Sequence, residues 1–293
     1  MTERIIPPSE LVLNKNKSVY HLGLKDIHVA ENIIIVGDQS RVELISNFFD
    51  TIEYQINNRE FKTHTGTYNG KRVTALSTGI GTDNIDIVMN ELDAAVNINL
   101  ESRKTNKNLK KLNIVRIGTS GALQEDIPVG TFLMSSHGLG LDGLMEYYKL
   151  TFTEEELKMS KAFITQTNWN PNLATPYFIE GSKDLLKKLL ENEVKEGITA
   201  TAIGFYGPQG RELRAPLKFN DMNNQLSQFH YSSQKITNFE METSAFYGLG
   251  RLLGHNCATI CLIIANRNRG EFFDNYFNSM NKLIKMVLNK LTT

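Results

Sequence analysis

Two arginines stand beside glycine-rich turns, and both arrangements suit an oxyanion. In Gly37-Asp38-Gln39-Ser40-Arg41 a permissive backbone leads to a guanidinium; in Arg116-Ile117-Gly118-Thr119-Ser120-Gly121 the guanidinium comes first, followed by two hydroxyls. Arginine offers a rigid charged fork and glycine turns let backbone N–H groups converge, which matches phosphate. A second cluster, Asn238-Phe239-Glu240-Met241-Glu242, sets two carboxylates around a methionine. Carboxylates accept from the hydroxyls of a sugar, and a thioether can lie against its apolar face. A third pairs Gln209 with Arg211; a side-chain amide carries a donor and an acceptor, the complement of a planar cyclic imide or amide. Each cluster taken alone also has a plainer reading. Glycine turns end the strands of an α/β sheet, acidic residues favour helix starts through the macrodipole, and surface loops are polar.

Other chemistries lack their residues. There is no G-x-x-x-x-G-K-[ST], no full spaced-glycine dinucleotide fingerprint, no H-E-x-x-H and no G-x-S-x-G. The 2 cysteines, Cys257 and Cys261, share one apolar run, which excludes a paired-thiolate zinc site and suggests core thiols in a reducing, cytoplasmic compartment. Lys plus Arg and Asp plus Glu each number 32, so the net charge is zero and no field favours nucleic acid or an anionic membrane. No apolar stretch approaches a membrane span, and residues 1–9 lack the apolar core of a signal peptide.

The 293 residues, 41% hydrophobic, suffice for an enzyme-sized core, and their pattern alternates strand, glycine turn and helix. Residues 1–26 read as an N-terminal arm and 27–293 as one domain. Within it, 32–36, 72–77, 112–117, 131–135 and 199–204 predict strands, and 257–265 predicts a central one. Helices are expected over 86–100, 182–194, 242–253 and 276–291. The Gly118-Thr119-Ser120-Gly121 stretch reads as a tight turn, and 141–172 as irregular; the whole excursion 144–198 is expected to be peripheral to the sheet. The fold class implied is α/β: a single domain with a central, mostly mixed twisted sheet flanked by helices. Such sheets bind ligands beyond the carboxyl ends of their strands.

Taken together and in order, six segments resemble the nucleoside phosphorylase family, its uridine phosphorylases most closely. They are Val36-Gly37-Asp38-Gln39-Ser40-Arg41-Val42, Asn58-Arg59-Glu60-Phe61, Ser77-Thr78-Gly79-Ile80-Gly81, Val115-Arg116-Ile117-Gly118-Thr119-Ser120-Gly121, Phe205-Tyr206-Gly207-Pro208-Gln209-Gly210-Arg211 and Asn238-Phe239-Glu240-Met241-Glu242. The resemblance runs from Tyr20 to the last predicted helix and is weakest over 144–198. It implies phosphate held by Gly37, Arg41, Arg116 and Thr119, with Arg59 reaching in from a neighbouring subunit. Ribose falls to Met241 and Glu242, with His21 from the partner chain, and the base to Phe205, Gln209 and Arg211. Glu60 and Ser77 match positions that in some members hold K+ or Na+ at the subunit interface.

The implied reaction is reversible phosphorolysis of uridine, deoxyuridine or thymidine to the free base and (deoxy)ribose 1-phosphate. Inorganic phosphate is then a co-substrate, no other cofactor is needed, and the chain is a homodimer or hexamer with shared sites. Purine-specific relatives carry an aspartate after the late core strand, where this chain has Asn266, which cannot be that acid. Gln39 and Ser120 depart from the proline and threonine common at those positions. A purine nucleoside phosphorylase, a nucleoside hydrolase on the same scaffold and a non-catalytic nucleoside-binding protein remain the alternatives.

Overall fold

Runs of β-branched residues bounded by glycine become strands, and runs with apolar residues three and four apart become helices. A computed structural model describes residues 4–293. In chain order they form β1 (Asn32–Val36), α1 (Gln39–Ser46), β2 (Thr51–Asn58), β3 (Phe61–Tyr68), β4 (Lys71–Ser77), α2 (Thr82–Asn97), and the short β5 (Ile98–Asn99) and β6 (Lys104–Thr105). Then follow β7 (Asn113–Ala122), β8 (Phe132–Gly140), α3 (Glu154–Thr167), β9 (Tyr177–Glu180), α4 (Lys183–Leu189) and β10 (Val194–Thr201). Last come α5 (Met222–Gln228), β11 (His230–Tyr231), β12 (Gln234–Glu240), α6 (Thr243–Leu253), β13 (Asn256–Asn266), β14 (Glu271–Phe272) and α7 (Phe277–Thr292).

The main sheet runs β11-β12-β10-β8-β13-β7-β1-β4-β3-β2, and β12 also pairs with β7. That extra pairing closes β7, β13, β8, β10 and β12 into a ring, from which β1, β4, β3 and β2 extend as a wing. The predicted mixed α/β sheet is thus present, with the expected strand 257–265 inside it as β13, flanked by β7 and β8. One core lies between the wing and α2 with α6, where Ile33, Ile35, Leu92 and Phe246 are fully buried; Val19, Leu22 and Leu24 of the first 26 residues join it. A second lies on the opposite face under α1 and α7.

Several expectations need correction. The Gly118-Thr119-Ser120-Gly121 stretch is the second half of β7 and no turn, because β13 pairs along it throughout. Residues 141–172 are only partly irregular. Thr153 caps α3 by accepting from the Glu156 N–H, Glu156 returns the bond, and Asn168 ends the helix in a left-handed conformation. The excursion 144–198 is not peripheral either: β9 pairs with β8, and β10 sits between β8 and β12. The helix expected over 182–194 stops at Leu189, and β10 starts at Val194. The β2–β3 hairpin was not anticipated at all.

Glu156 fastens this middle region. Its carboxylate accepts from both Arg251 guanidinium nitrogens (2.9 and 2.6 Å) and from the N–H groups of Thr153 and Glu180 (2.8 and 2.7 Å). Burial opposes its charge, but these donors win and hold its carboxyl below the usual range. A depressed folded pKa stabilises above the unfolded value and loses that stabilisation as pH falls through the folded one. We therefore expect Glu156→Gln to lower stability at neutral pH by about 2 kcal/mol, discounted from the usual loss for a buried pair because Arg251 is partly exposed. Urea unfolding at neutral pH and through the acid range measures this, and the parent should lose more stability on acidification than the variant.

Candidate active site at a seam in the sheet

Strand β7 changes partner along one edge. Asn113 to Arg116 pair with β1, whereas Gly121 and Ala122 pair antiparallel with Phe239 and Asn238 of β12. Between these partners, residues 117–120 are paired on the β13 side only. A cavity of about 700 Å³ opens at this seam, a size that suits a small molecule. Gly37 and Arg41 reach it from the β1–α1 turn, Thr119 and Ser120 from β7, Met241 and Glu242 from the β12–α6 junction, and Phe205, Gln209 and Arg211 from the loop after β10. The three clusters read from the sequence therefore meet in one place.

Arg116 is the buried charge at its floor, 5% exposed. One guanidinium nitrogen lies 3.1 Å from a Glu240 carboxylate oxygen and donates to the Cys261 sulfur at 3.6 Å, and another donates to Glu242. Burial disfavours its charge, but Glu242 and then Glu240 overcome this and raise its pKa above the ordinary value. Glu240 in turn accepts from the Thr201 hydroxyl (2.8 Å) and from the N–H groups of Glu242 and Thr243 (3.0 Å each). The acidic helix start and the sugar-facing carboxylate, treated as rival readings, fall to different residues: Glu240 satisfies the first N–H groups of α6, and Glu242 faces the cavity. The second oxygen of Glu242 accepts from Gly81 N–H at 2.8 Å, so its orientation is set from two directions.

Arg41 differs from Arg116. Among the described residues it has no carboxylate within ion-pair distance, and its guanidinium reaches only the Ile117 carbonyl, at 3.5 Å. Burial lowers its pKa, and Arg116 adds to that. A cation so placed is a ready partner for an anion.

In the loop after β10, Gln209 is 4% exposed and its carbonyl group faces Arg211, which donates to it at 2.5 Å and to the Phe205 carbonyl at 2.6 Å. The Arg211 guanidinium lies 3.8 Å from the centre of the Phe205 ring. The Gln209 NH2 is left as a donor. Burial, then Arg267, lowers the Arg211 pKa to about 10. Arg267 also donates to the Gln209 main-chain carbonyl at 2.6 Å, tying the loop to the end of β13.

The remaining expected residues lie elsewhere. His21 and Arg59 do not line this cavity. His21 bonds Glu91, and Arg59, at the β2–β3 hairpin tip, donates to the Tyr20 hydroxyl at 3.0 Å. Glu60 lines the cavity, but Ser77 is fully buried; its hydroxyl donates to the Glu60 carbonyl and accepts from Lys62 N–H. That leaves the Ser77 hydroxyl one lone pair beyond these bonds. Asn266 is not in the cavity wall: its NH2 donates to the Gln124 and Ile127 carbonyls at 2.9 Å each, a clamp on a loop. Asn84 and Phe272 line the cavity without any role expected for them, and Glu240, one of the two carboxylates of the acidic cluster, lines it without having been given a residue role of its own. Glu240 carried a signal, two residues before Glu242 in the acidic cluster, whereas Phe272 arrives by the short β14 and carried none.

The site thus holds an unpaired guanidinium and a preset carboxylate on a partly closed mixed sheet. A family model described as the Phosphorylase superfamily matches residues 31–292, and the chain belongs to that family. It is 28% identical to a uridine phosphorylase of Thermococcus kodakarensis, across 86% of this chain and 79% of that protein. It is also 28% identical to a DeoD-type purine nucleoside phosphorylase of Clostridium perfringens, across 83% and 85%. The crystal structure of a Trypanosoma brucei nucleoside phosphorylase, described as showing uridine phosphorylase activity, superposes with a TM-score of 0.87 at 28% identity, across 96% of this chain and 99% of that one.

Gly118 makes room for the buried arginine. A Cβ there would lie 2.4 Å from an Arg116 guanidinium nitrogen and 2.9 Å from the Cys261 sulfur. Arg116 is pinned by two carboxylates and cannot swing aside. Gly118→Ala should destabilise by about 1–3 kcal/mol, the usual range for overpacking, and should also lower turnover, whereas Gly70→Ala, outside the cavity wall, meets nothing within 4 Å but is strained at φ 70° and should cost stability without costing turnover. Thermal unfolding and turnover of both variants measure this.

Proposed function

We propose that this chain catalyses the reversible phosphorolysis of uridine, with deoxyuridine and thymidine as related substrates. Phosphate attacks the anomeric carbon, the bond from that carbon to the base nitrogen breaks, and its electron pair leaves on uracil, which then takes up a proton; the other product is ribose 1-phosphate. The observation that carries this reading is that one cavity gathers an arginine without a carboxylate partner, a carboxylate fixed from two sides, and an amide–guanidinium pair. The uridine phosphorylase relatives support the choice of base.

In this reading Arg41, Gly37 and Thr119 hold phosphate, with Arg116 at the floor. Glu242 accepts from ribose hydroxyls and Met241 packs on the ring. Gln209 donates to a carbonyl of the base while Arg211 stabilises the negative charge that appears there, so no covalent intermediate is needed. Arg59 and His21 complete the site of a second copy, which makes a homodimer the smallest active unit, alone or within a hexamer. Two buried free thiols, Cys257 and Cys261, support a reducing, cytoplasmic setting. No step runs through a metal or a further cofactor.

The test is uracil release from uridine with and without inorganic phosphate, with inosine and thymidine in parallel. Phosphate-dependent release from uridine but not inosine is expected. Release without phosphate would make the protein a hydrolase, and release from inosine alone a purine enzyme. Arg211→Ala should lower kcat by on the order of 10² to 10³, as loss of a donor to developing charge does elsewhere, with an unchanged melting temperature.

A further inference from the structure

His21 lies outside the cavity of its own chain, yet it is held as firmly as a residue inside one. Glu91, on α2, accepts from the backbone N–H of His21 (2.9 Å) and of Leu22 (2.8 Å) with one oxygen, and from the His21 ring at Nδ1 (2.7 Å) with the other, which also shares the His21 N–H at a longer 3.0 Å. From the other side the Asn58 amide donates to the carbonyls of Tyr20 (2.9 Å) and His21 (2.7 Å). Val19, Leu22 and Leu24 on either side are fully buried. The Tyr20 ring meets the His21 ring edge to face at 4.9 Å. The result is an imidazole on a clamped backbone, its side chain 32% exposed.

We propose that Glu91 is a positioning residue that fixes the orientation and tautomer of His21 for contact with the sugar in a second copy's site. An ionised carboxylate only accepts, so the proton of a neutral His21 ring sits on Nδ1, and Nε2 is the free nitrogen. That nitrogen, with its lone pair outward, accepts from a sugar hydroxyl. A clip needed only to tether the arm would be served by the two backbone N–H bonds; the third bond, to the ring, fixes what the exposed edge presents. The proposal rests on the reading of His21 as a sugar-contacting residue given above.

Glu91→Gln separates the two roles. The amide oxygen still accepts from the paired backbone N–H groups, while its NH2 now faces Nδ1 and demands a lone pair there, so the neutral ring carries its proton on Nε2 instead. Nitrogen-15 NMR of histidine-labelled protein, with His21 assigned by its loss in His21→Ala, should show Nδ1–H in the parent and Nε2–H in Glu91→Gln. In phosphate-dependent uracil release, His21→Ala and Glu91→Gln should each raise the KM for uridine about 10-fold, the size of one hydrogen bond to a substrate, with the KM for phosphate unchanged. The double variant should be no worse than His21→Ala alone. Glu91→Ala, with its melting temperature measured, repeats the cycle should the glutamine variant not fold.

An Nε2–H tautomer in the parent overturns the proposal whatever the activity. So does a full effect of Glu91→Gln in the His21→Ala background, or none in the parent background while His21→Ala is impaired. Absence of phosphate-dependent release from the parent, or an unimpaired His21→Ala, instead overturns the functional reading, and the proposal with it.

Discussion

The site depends on one buried cation shared by two buried carboxylates. Arg116 comes from β7, Glu240 from the end of β12 and Glu242 from the first residue before α6, and all three are 5% exposed or less. Taking these charges out of water costs several kcal/mol each, and mutual attraction offsets that only when the remaining hydrogen-bond capacity is also filled. Glu240 meets that condition with a hydroxyl and two backbone N–H groups, and Glu242 does so through Gly81. The cluster therefore fixes the relative placement of β7, the β12–α6 junction and the start of α2, three stretches far apart in sequence. Burial, and then the neighbouring Glu242, push the Glu240 carboxyl up to about 7 against the pull of Arg116, so the cluster holds one cation against one full and one partial negative charge near neutral pH, while Arg41 nearby has no carboxylate of its own. The two imbalances are what a sugar beside an anion would use.

Topology explains why the cluster lies next to open space. A strand paired on both edges along its whole length offers no backbone to a ligand. Strand β7 pairs with β1 for its first half, with β12 at its tip, and with neither between, so the Ile117–Ser120 stretch keeps one edge free where the two halves of the sheet diverge. Asn238 bridges this seam, its amide bonded to the Ser120 hydroxyl of β7 at 2.9 Å and to Thr199 of β10 at 2.8 Å. The ring of strands that this closure creates holds both walls of the cavity in register.

Much of this was legible in the residues, though unevenly. Apolar runs ending in glycine located β1 and β4, the long apolar run 257–265 located β13, and the three polar clusters named most of the cavity wall. The second half of β7 was misread because Gly118 and Gly121 look like a turn. Gly118 is there because Arg116 passes over it, which only the folded contact reveals. The β3–β4 hairpin carried an overlooked local signal: Asn69 and Gly70 both adopt left-handed conformations (φ 51° and 70°), the usual two-residue turn for such a sequence. The Thr153–Glu156 capping box was an equally readable start for α3. Phe272 and the clamp role of Asn266 had no local signature, since both arise from where the chain returns after β13. Asn266 argues against a purine acid by its chemistry alone, not by facing the cavity.

On the proposed reaction the same charges divide the work. As the bond to the base lengthens, the sugar becomes cationic and the base anionic, so a site with one sign throughout would favour one fragment and oppose the other. Here the carboxylates belong to the Arg116 cluster, with Glu242 lining the cavity, and the second positive group without a carboxylate partner, Arg211, is carried by a different loop and stacked on Phe205. Arg211 also faces Arg267, and burial beside a like charge lowers its pKa. A guanidinium held at that cost gains most from an anion arriving beside it. Its interaction with the base therefore strengthens as charge develops, which is the condition under which a contact accelerates a reaction and does more than bind the substrate.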